Sequence, residues 1–177
     1  MRKVVSYIAI SLNGKIADSN SSVGWLEKIP NPKRLDYGYS EFYDKVEITI
    51  QGNTTYDQVL GFDTEFPYKG KKNYVFTRRK DLKEDENVNY VNEDPVKFVK
   101  ELKNEAGGII WVIGGGQTNT LLLSGGVIDE LKVFVMPIII DDGIEIFSEN
   151  QTISSLELLD SKTYSNGVVE LHYRIKN

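Results

Sequence analysis

Three short segments put phosphate-holding chemistry where a strand hands the chain to a helix or loop. The first is Ile113-Gly114-Gly115-Gly116-Gln117-Thr118. Glycines let the backbone approach a ligand closely, and the free amides and positive end of the following helix attract an anion. The second is Gly52-Asn53-Thr54-Thr55-Tyr56, where hydroxyls add donors to another helix start. The third is Phe76-Thr77-Arg78-Arg79-Lys80, whose arginines could clamp a ribose 2′-phosphate with paired donors. Each segment also has a plainer reading: a tight turn, an ordinary helix cap, and a solvated basic loop. The glycine turn is not a full Rossmann fingerprint, because Asn119 stands where the third glycine would be. Several such junctions in one chain carry more weight, since parallel sheets bind ligands at the carboxyl ends of their strands.

Other reactive residue types are scarce. The chain has no cysteine and a single histidine, His172. Thiolate chemistry, disulfides and cysteine-based zinc sites are therefore excluded, and no metal site is expected. His172 alternates with Val169, Leu171, Tyr173 and Ile175, which assigns it a surface or packing role. Asp141-Asp142-Gly143 is turn chemistry rather than a catalytic carboxylate pair.

The elements that must position these segments follow from the hydrophobic pattern. The length of 177 residues suits one domain. Runs at 4–10, 47–51, 72–77, 88–91, 109–113 and 130–140 predict strands, with Pro137 marking an edge or bulge in the last. Residues 35–45 predict a helix that turns Tyr39, Phe42, Tyr43 and Val46 to one side. A short helix follows Gly52, with Asn53 or Thr54 as its cap. Asp94-Pro95 starts another, which turns Val96, Val99 and Leu102 inward and ends at Gly107-Gly108. A fourth covers 117–123 and ends at Gly125-Gly126. Ser165-Asn166-Gly167 between apolar runs predicts a terminal hairpin. Alternating strands and helices imply an α/β fold: a mainly parallel sheet with helices on both faces, made mixed by the hairpin.

Composition narrows the partners. The net charge of −5 argues against nucleic acid, which needs a basic footprint. No apolar run is long enough to span a membrane, and the first residues read as a strand rather than a signal peptide. A cytoplasmic protein is expected.

Four segments in order resemble the dihydrofolate reductase superfamily, in particular the branch similar to the C-terminal reductase domain of bacterial riboflavin biosynthesis. They are Ser11-Leu12-Asn13-Gly14-Lys15-Ile16-Ala17, Gly52-Asn53-Thr54-Thr55-Tyr56, Thr77-Arg78-Arg79 and the glycine turn. Trp25 also sits where small members carry an aromatic residue. The resemblance implies a three-layer dihydrofolate-reductase-like fold in a single reductase domain, residues 1–177. It implies NADPH as cofactor, with contacts at Ala9, Lys15, Ile16, Gly52, Asn53, Thr54, Thr55, Thr77, Arg78, Arg79, Ile113, Gly114, Gly115, Gly116, Gln117 and Thr118. The substrate it implies is a pyrimidine-like or pterin-like heterocycle, or a ribosyl derivative of one. Asn13 would be a catalytic-loop residue, and Asp36 falls near the carboxylate that binds pteridine in dihydrofolate reductases; a helix cap or surface charge is its plainer role. Asp44 is a weaker alternative. The family pattern has aspartate at Asn13 and arginine at Asn53, which leaves Arg78 and Arg79 as the phosphate cations. A true dihydrofolate reductase and a non-catalytic dinucleotide-binding protein are the alternative functions. A homodimer is expected from family habit and from the apolar surplus in 133–140 and around Tyr39 to Tyr43.

Overall fold

The computed structural model describes residues 1–148 and 154–176. Its centre is an eight-stranded sheet formed by β1 (Val4–Ser11), β3 (Val46–Gly52), β4 (Lys72–Phe76), β5 (Asn89–Val91), β6 (Ile109–Gly114), β7 (Glu130–Met136), β9 (Ser155–Thr163) and β10 (Val169–Lys176). The strand order is β5-β4-β3-β6-β1-β7-β10-β9. The first six in that order are parallel neighbours, and β10 and β9 close the series antiparallel. The remaining strands, β2 (Lys15–Asp18) and β8 (Gly143–Glu145), make a separate antiparallel ribbon.

The two faces of the sheet follow from strand alternation. Val4, Ile48, Ile50, Ile110 and Val112 pack on one face against α3 (Pro95–Asn104) and α4 (Gly116–Ser124). Val5 and Trp111 face the other way, against Phe42 of α1 (Tyr39–Lys45) and Val59 of α2 (Asn53–Leu60). Helix α3 starts where the sequence predicts, because Asp94 accepts from the amides of Val96 and Lys97 and Pro95 needs no hydrogen bond there, but it ends at Asn104 rather than at Gly107-Gly108, since Glu105 is already extended. Its Val99 and Leu102 are buried, and Val96 is half-buried.

Several expectations need correction. Helix α1 starts at Tyr39, not Leu35, because Tyr37 (φ 54°) and Gly38 (φ 77°) are left-handed and break the helical path. Neither Asn53 nor Thr54 caps α2. The cap is Gly52, and Asn53 Nδ2 instead donates to Asp57 Oδ2 at 2.7 Å along the helix surface. Strand β7 stops at Met136, so Pro137 terminates it rather than marking an edge; β7 lies inside the sheet between β1 and β10. The β2–β8 ribbon has no counterpart in the predicted elements. Its strands are three and four residues long, and β2 finds its partner far along the chain.

Two buried polar groups tie the sheet to its loops. Asn73 on β4 accepts from the Thr49 hydroxyl at 2.6 Å and donates to the carbonyls of Tyr68 and Asn87. Glu130 on β7 is held by Lys3 Nζ at 2.5 Å and His172 Nε2 at 3.0 Å. The single histidine therefore sits in a packing and hydrogen-bonding role. Asp142 accepts from the Gly143 amide within a turn leading into β8. Among the described residues, no helix is long and apolar enough to cross a membrane.

Candidate functional site

Parallel pairing brings the carboxyl ends of β4, β3, β6 and β1 side by side along one edge of the sheet. The three phosphate-type segments leave from the first three of these ends, and the 11–15 loop leaves from the fourth. At the spacing of neighbouring strands, four ends span roughly 14 Å, a long groove rather than a point site.

The glycine turn sits at the middle of that edge. Gly114 has φ 124°, which L side chains rarely adopt, and its peptide bond to Gly115 is cis. A Cβ on Gly115 would lie 3.2 Å from Thr55 Oγ1 and 3.8 Å from Ile16 Cδ1. A Cβ on Gly52 would lie 2.8 Å from Thr118 Oγ1. The two strand-to-helix junctions are thus in contact, with β2 beside them. Gly116 is equally confined: a side chain there would collide with the carbonyl of Glu145.

Both helices that start here lack a side-chain cap. The caps are Gly52 for α2 and Gly115 for α4, and neither supplies a hydrogen bond to the first turn. The first-turn amides therefore keep their donors and the positive helix ends stay uncovered. Thr55 and Ile16 are half-buried against the turn, whereas Thr54 and Gln117 are exposed on its rim. Thr118 and Gly116 are buried, and Ile113 is half-buried just before the turn. At the end of β4, the Thr77 hydroxyl accepts from the Arg79 amide at 3.1 Å, and Asn92 Nδ2 donates to the carbonyls of Thr77 and Arg79. This fixes the backbone of the basic loop while Arg78 and Arg79 stay exposed. Neither guanidinium forms an ion pair with another described residue.

The 11–15 loop is closed by side-chain hydrogen bonds. Asn13 Nδ2 donates to the carbonyl of Ile140 at 2.7 Å, and its Oδ1 accepts from the Ile140 amide at 3.2 Å and the Ser11 hydroxyl at 2.8 Å. The Nδ2 bond needs an amide, since an aspartate in its place offers no N–H. The Ser11 hydroxyl accepts from the Lys15 amide, and Lys15 Nζ reaches Glu145 at 3.1 Å. The Ile146 amide donates to Gly14, and Asn119 Nδ2 donates to the Ile146 carbonyl at 3.0 Å. Asn119 thereby connects α4, the segment after β8 and the 11–15 loop.

Next to this edge is a cavity of about 420 Å³ on the α1 face of β1 and β7. Tyr7 and Ala9 line it from β1, and Phe134 and Met136 from β7. The opposite wall comes from Leu26, Ile29, Asn31, Leu35, Asp36, Tyr37 and Tyr39. Ala9 lines the cavity on the α1 face of β1, while Ile8 on the opposite face lies 3.9 Å from where a Gly114 Cβ would be. Trp25 is buried against Phe134, Met136 and Val168 behind the wall. Asn31 shapes the rim by bonding both the amide and the carbonyl of Leu35 at 2.8 Å.

The structure places Asp36 on this cavity and Asn13 in the loop latch. Asp36 accepts from the amides of Gly38 at 3.0 Å and Ser40 at 3.3 Å at the start of α1. The Gly38 amide, then the Ser40 hydroxyl and amide, hold its carboxyl below the usual range. It is ionised at neutral pH, suited to accepting hydrogen bonds rather than donating a proton. Asp44 does not line the cavity. Sequence reasoning missed Tyr7, Phe134 and Met136. The available signal was alternation, which puts Tyr7 with Ala9 and Phe134 with Met136 on one face of adjacent strands.

The chain belongs to the RibD C-terminal domain family, whose profile matches residues 62–170. It is 38% identical over 172 residues to the uncharacterized protein YwjB of Bacillus subtilis, across 97% of both chains. A crystal structure of a putative riboflavin biosynthesis protein from Shewanella superposes with a TM-score of 0.88 at 27% identity, covering 99% of each chain. A Thermotoga maritima diaminohydroxyphosphoribosylaminopyrimidine deaminase/5-amino-6-(5-phosphoribosylamino)uracil reductase superposes with a TM-score of 0.72 at 16% identity; this chain spans 57% of its length. The fold is the dihydrofolate-reductase-like three-layer architecture of that family.

The latch generates a test. Asn13→Asp removes the donor to Ile140 and sets a carboxylate against a carbonyl. It is expected to cost about 1 kcal/mol in urea unfolding. Hydrogen exchange should quicken at the Leu12 and Ile140 amides while β6 is unchanged. Equal exchange in both proteins would show that the latch does not hold the loop.

Proposed function

We propose that the chain is an NADPH-dependent reductase that transfers hydride to a pyrimidine-like or pterin-like heterocycle, of the riboflavin-biosynthesis reductase type. The observation that carries this reading is the glycine turn at the end of β6, with the aromatic cavity lined from β1, the next strand along the same sheet edge. A dinucleotide lying along that edge would bring its ring toward the carboxyl end of β1, where Ala9 lines the cavity. The residues fit the cofactor: two uncapped helix starts, glycines that leave room for a pyrophosphate, and two exposed guanidiniums at the β4 end that have no ion pair among the described residues. Bound NADPH supplies a hydride.

The chain's own part is to orient and to exclude water. Gly114 to Thr118 and Gly52 to Thr55 would hold the pyrophosphate side, and Thr77, Arg78 and Arg79 the 2′-phosphate. Lys15 and Ile16 would cover the groove from β2. Tyr7, Phe134 and Met136 would keep water from the ring. A dihydrofolate reductase is the second reading, favoured by Asp36 as the carboxylate on the cavity.

A homodimer remains part of the proposal, on a different surface from the one expected. Phe134 and Met136 are buried in the chain's own core, and Tyr39 and Tyr43 pack around the cluster that contains Trp111. Among the described residues the outer edge of β9 has no strand partner, and β9 carries the exposed Leu156 and Leu158, where a second copy would add. Sedimentation velocity should give twice the chain mass for the wild type and a monomer for Leu158→Glu; a wild-type monomer at micromolar concentration would rule the dimer out.

The cofactor is tested by replacing Arg78 and Arg79 together with alanine. Losing charged hydrogen bonds to a 2′-phosphate should weaken NADPH binding by roughly 10- to 100-fold in calorimetry and leave NADH nearly unchanged. Equal losses for both nucleotides would remove the arginines from the 2′-phosphate, and no NADPH binding by the wild type would overturn the reading.

A further inference from the structure

Gln51 is a buried amide beside the glycine turn. The residue is fully buried, and neither its Oε1 nor its Nε2 has a hydrogen-bond partner among the described residues. An amide left this way destabilises a fold that an apolar group of the same shape would not. Buried polar neighbours fare differently. Thr49, two residues earlier on the same face of β3, bonds Asn73, and the Ser11 hydroxyl bonds both Asn13 and the Lys15 amide.

The position calls for an apolar residue. Gln51 precedes the Gly52 cap of α2, where an apolar side chain usually packs against the fourth residue of the helix. That fourth residue is the buried Tyr56, which clusters with Val75, and Val75 is the β4 neighbour of Gln51. Ile113 of β6 packs on the same face of the sheet. A residue that breaks a local rule in this way marks a functional position.

The backbone next to Gln51 is irregular as well. The β3–β6 ladder pairs Ile50 with Val112 and then Gln51 with Gly114, so Ile113 is an extra residue. Such a bulge interrupts the ladder and leaves backbone groups able to be re-aimed. The Gly114 carbonyl is close by, 4.0 Å from where a Gly52 Cβ would be.

We propose that Gln51 is a positioning residue for the glycine turn. When phosphates draw the turn's own amides toward the groove, Gln51 bonds the bulged backbone at Ile113 and Gly114. Its Nε2 donates to a carbonyl there and its Oε1 accepts from an amide. Binding thereby satisfies a group that the free protein leaves unsatisfied, which ties the place of the turn to occupancy of the groove. Gln51 acts through the turn and does not touch the ligand. This rests on the cofactor site of the reductase reading above.

The test uses the full chain with NADP⁺ as the probe. The Gln51 side-chain amide is assigned by through-bond NMR in the wild type, and saturation with NADP⁺ should move an Nε2 proton downfield. Gln51→Met keeps the length and removes the amide. It should raise the urea midpoint and weaken NADP⁺ at least about tenfold in calorimetry, whereas a packing role alone would leave affinity unchanged. An unmoved Gln51 signal, wild-type affinity in Gln51→Met or a lowered midpoint would overturn the proposal. Failure of the wild type to bind NADP⁺ would overturn the reductase reading and this proposal with it, while binding that leaves Gln51 unmoved overturns the proposal alone.

Discussion

The site depends on how closely two strand-to-helix junctions approach each other. Gly52 lets α4 come close through Thr118, and Gly115 lets α2 come close through Thr55. A side chain at either position would push the junctions apart. Because glycines also serve as the helix caps, the first-turn amides of α2 and α4 are left without side-chain partners. Close packing and an anion-ready edge are thus two results of the same residues. The β2–β8 ribbon adds to this, since the Glu145 carbonyl can approach Gly116 only in the absence of a Cβ.

A second constraint divides the site by polarity. Toward β4 it is open, basic and rich in donors. Toward β7 it is aromatic, with one ionised carboxylate on its wall. Ala9 lines the aromatic half toward the carboxyl end of β1, the strand next to the β6 end that carries the glycine turn. A charged, elongated ligand suits the first half and a flat ring suits the second. The pairing suits a reaction between two ligands rather than storage of one.

Much of the edge was legible in the sequence because its signals are local. A glycine run after Ile109 to Ile113, a threonine pair after Gly52 and arginines after Thr77 all sit within a few residues of a strong strand pattern. The Asp94-Pro95 helix start and the Ser165-Asn166-Gly167 hairpin were legible for the same reason. What escaped was set by distant contacts. The short β2 strand exists because residues 143–145 pair with it. The bonds of Asn13 to Ile140 join residues far apart in sequence and leave no local pattern. The cavity draws on β1, β7 and the 26–39 segment, which share no local pattern. The left-handed Tyr37 that shortens α1 carried no sequence signal apart from the glycine after it.

The most direct measurement of the central claim is an amide chemical-shift map recorded as NADPH is added to isotope-labelled protein. The account predicts that the largest shifts fall on Gly115 to Thr118, Gly52 to Thr55 and Thr77 to Arg79, three stretches far apart in sequence that move together at one saturation point. Shifts confined to other surfaces, or none at millimolar NADPH, would contradict it.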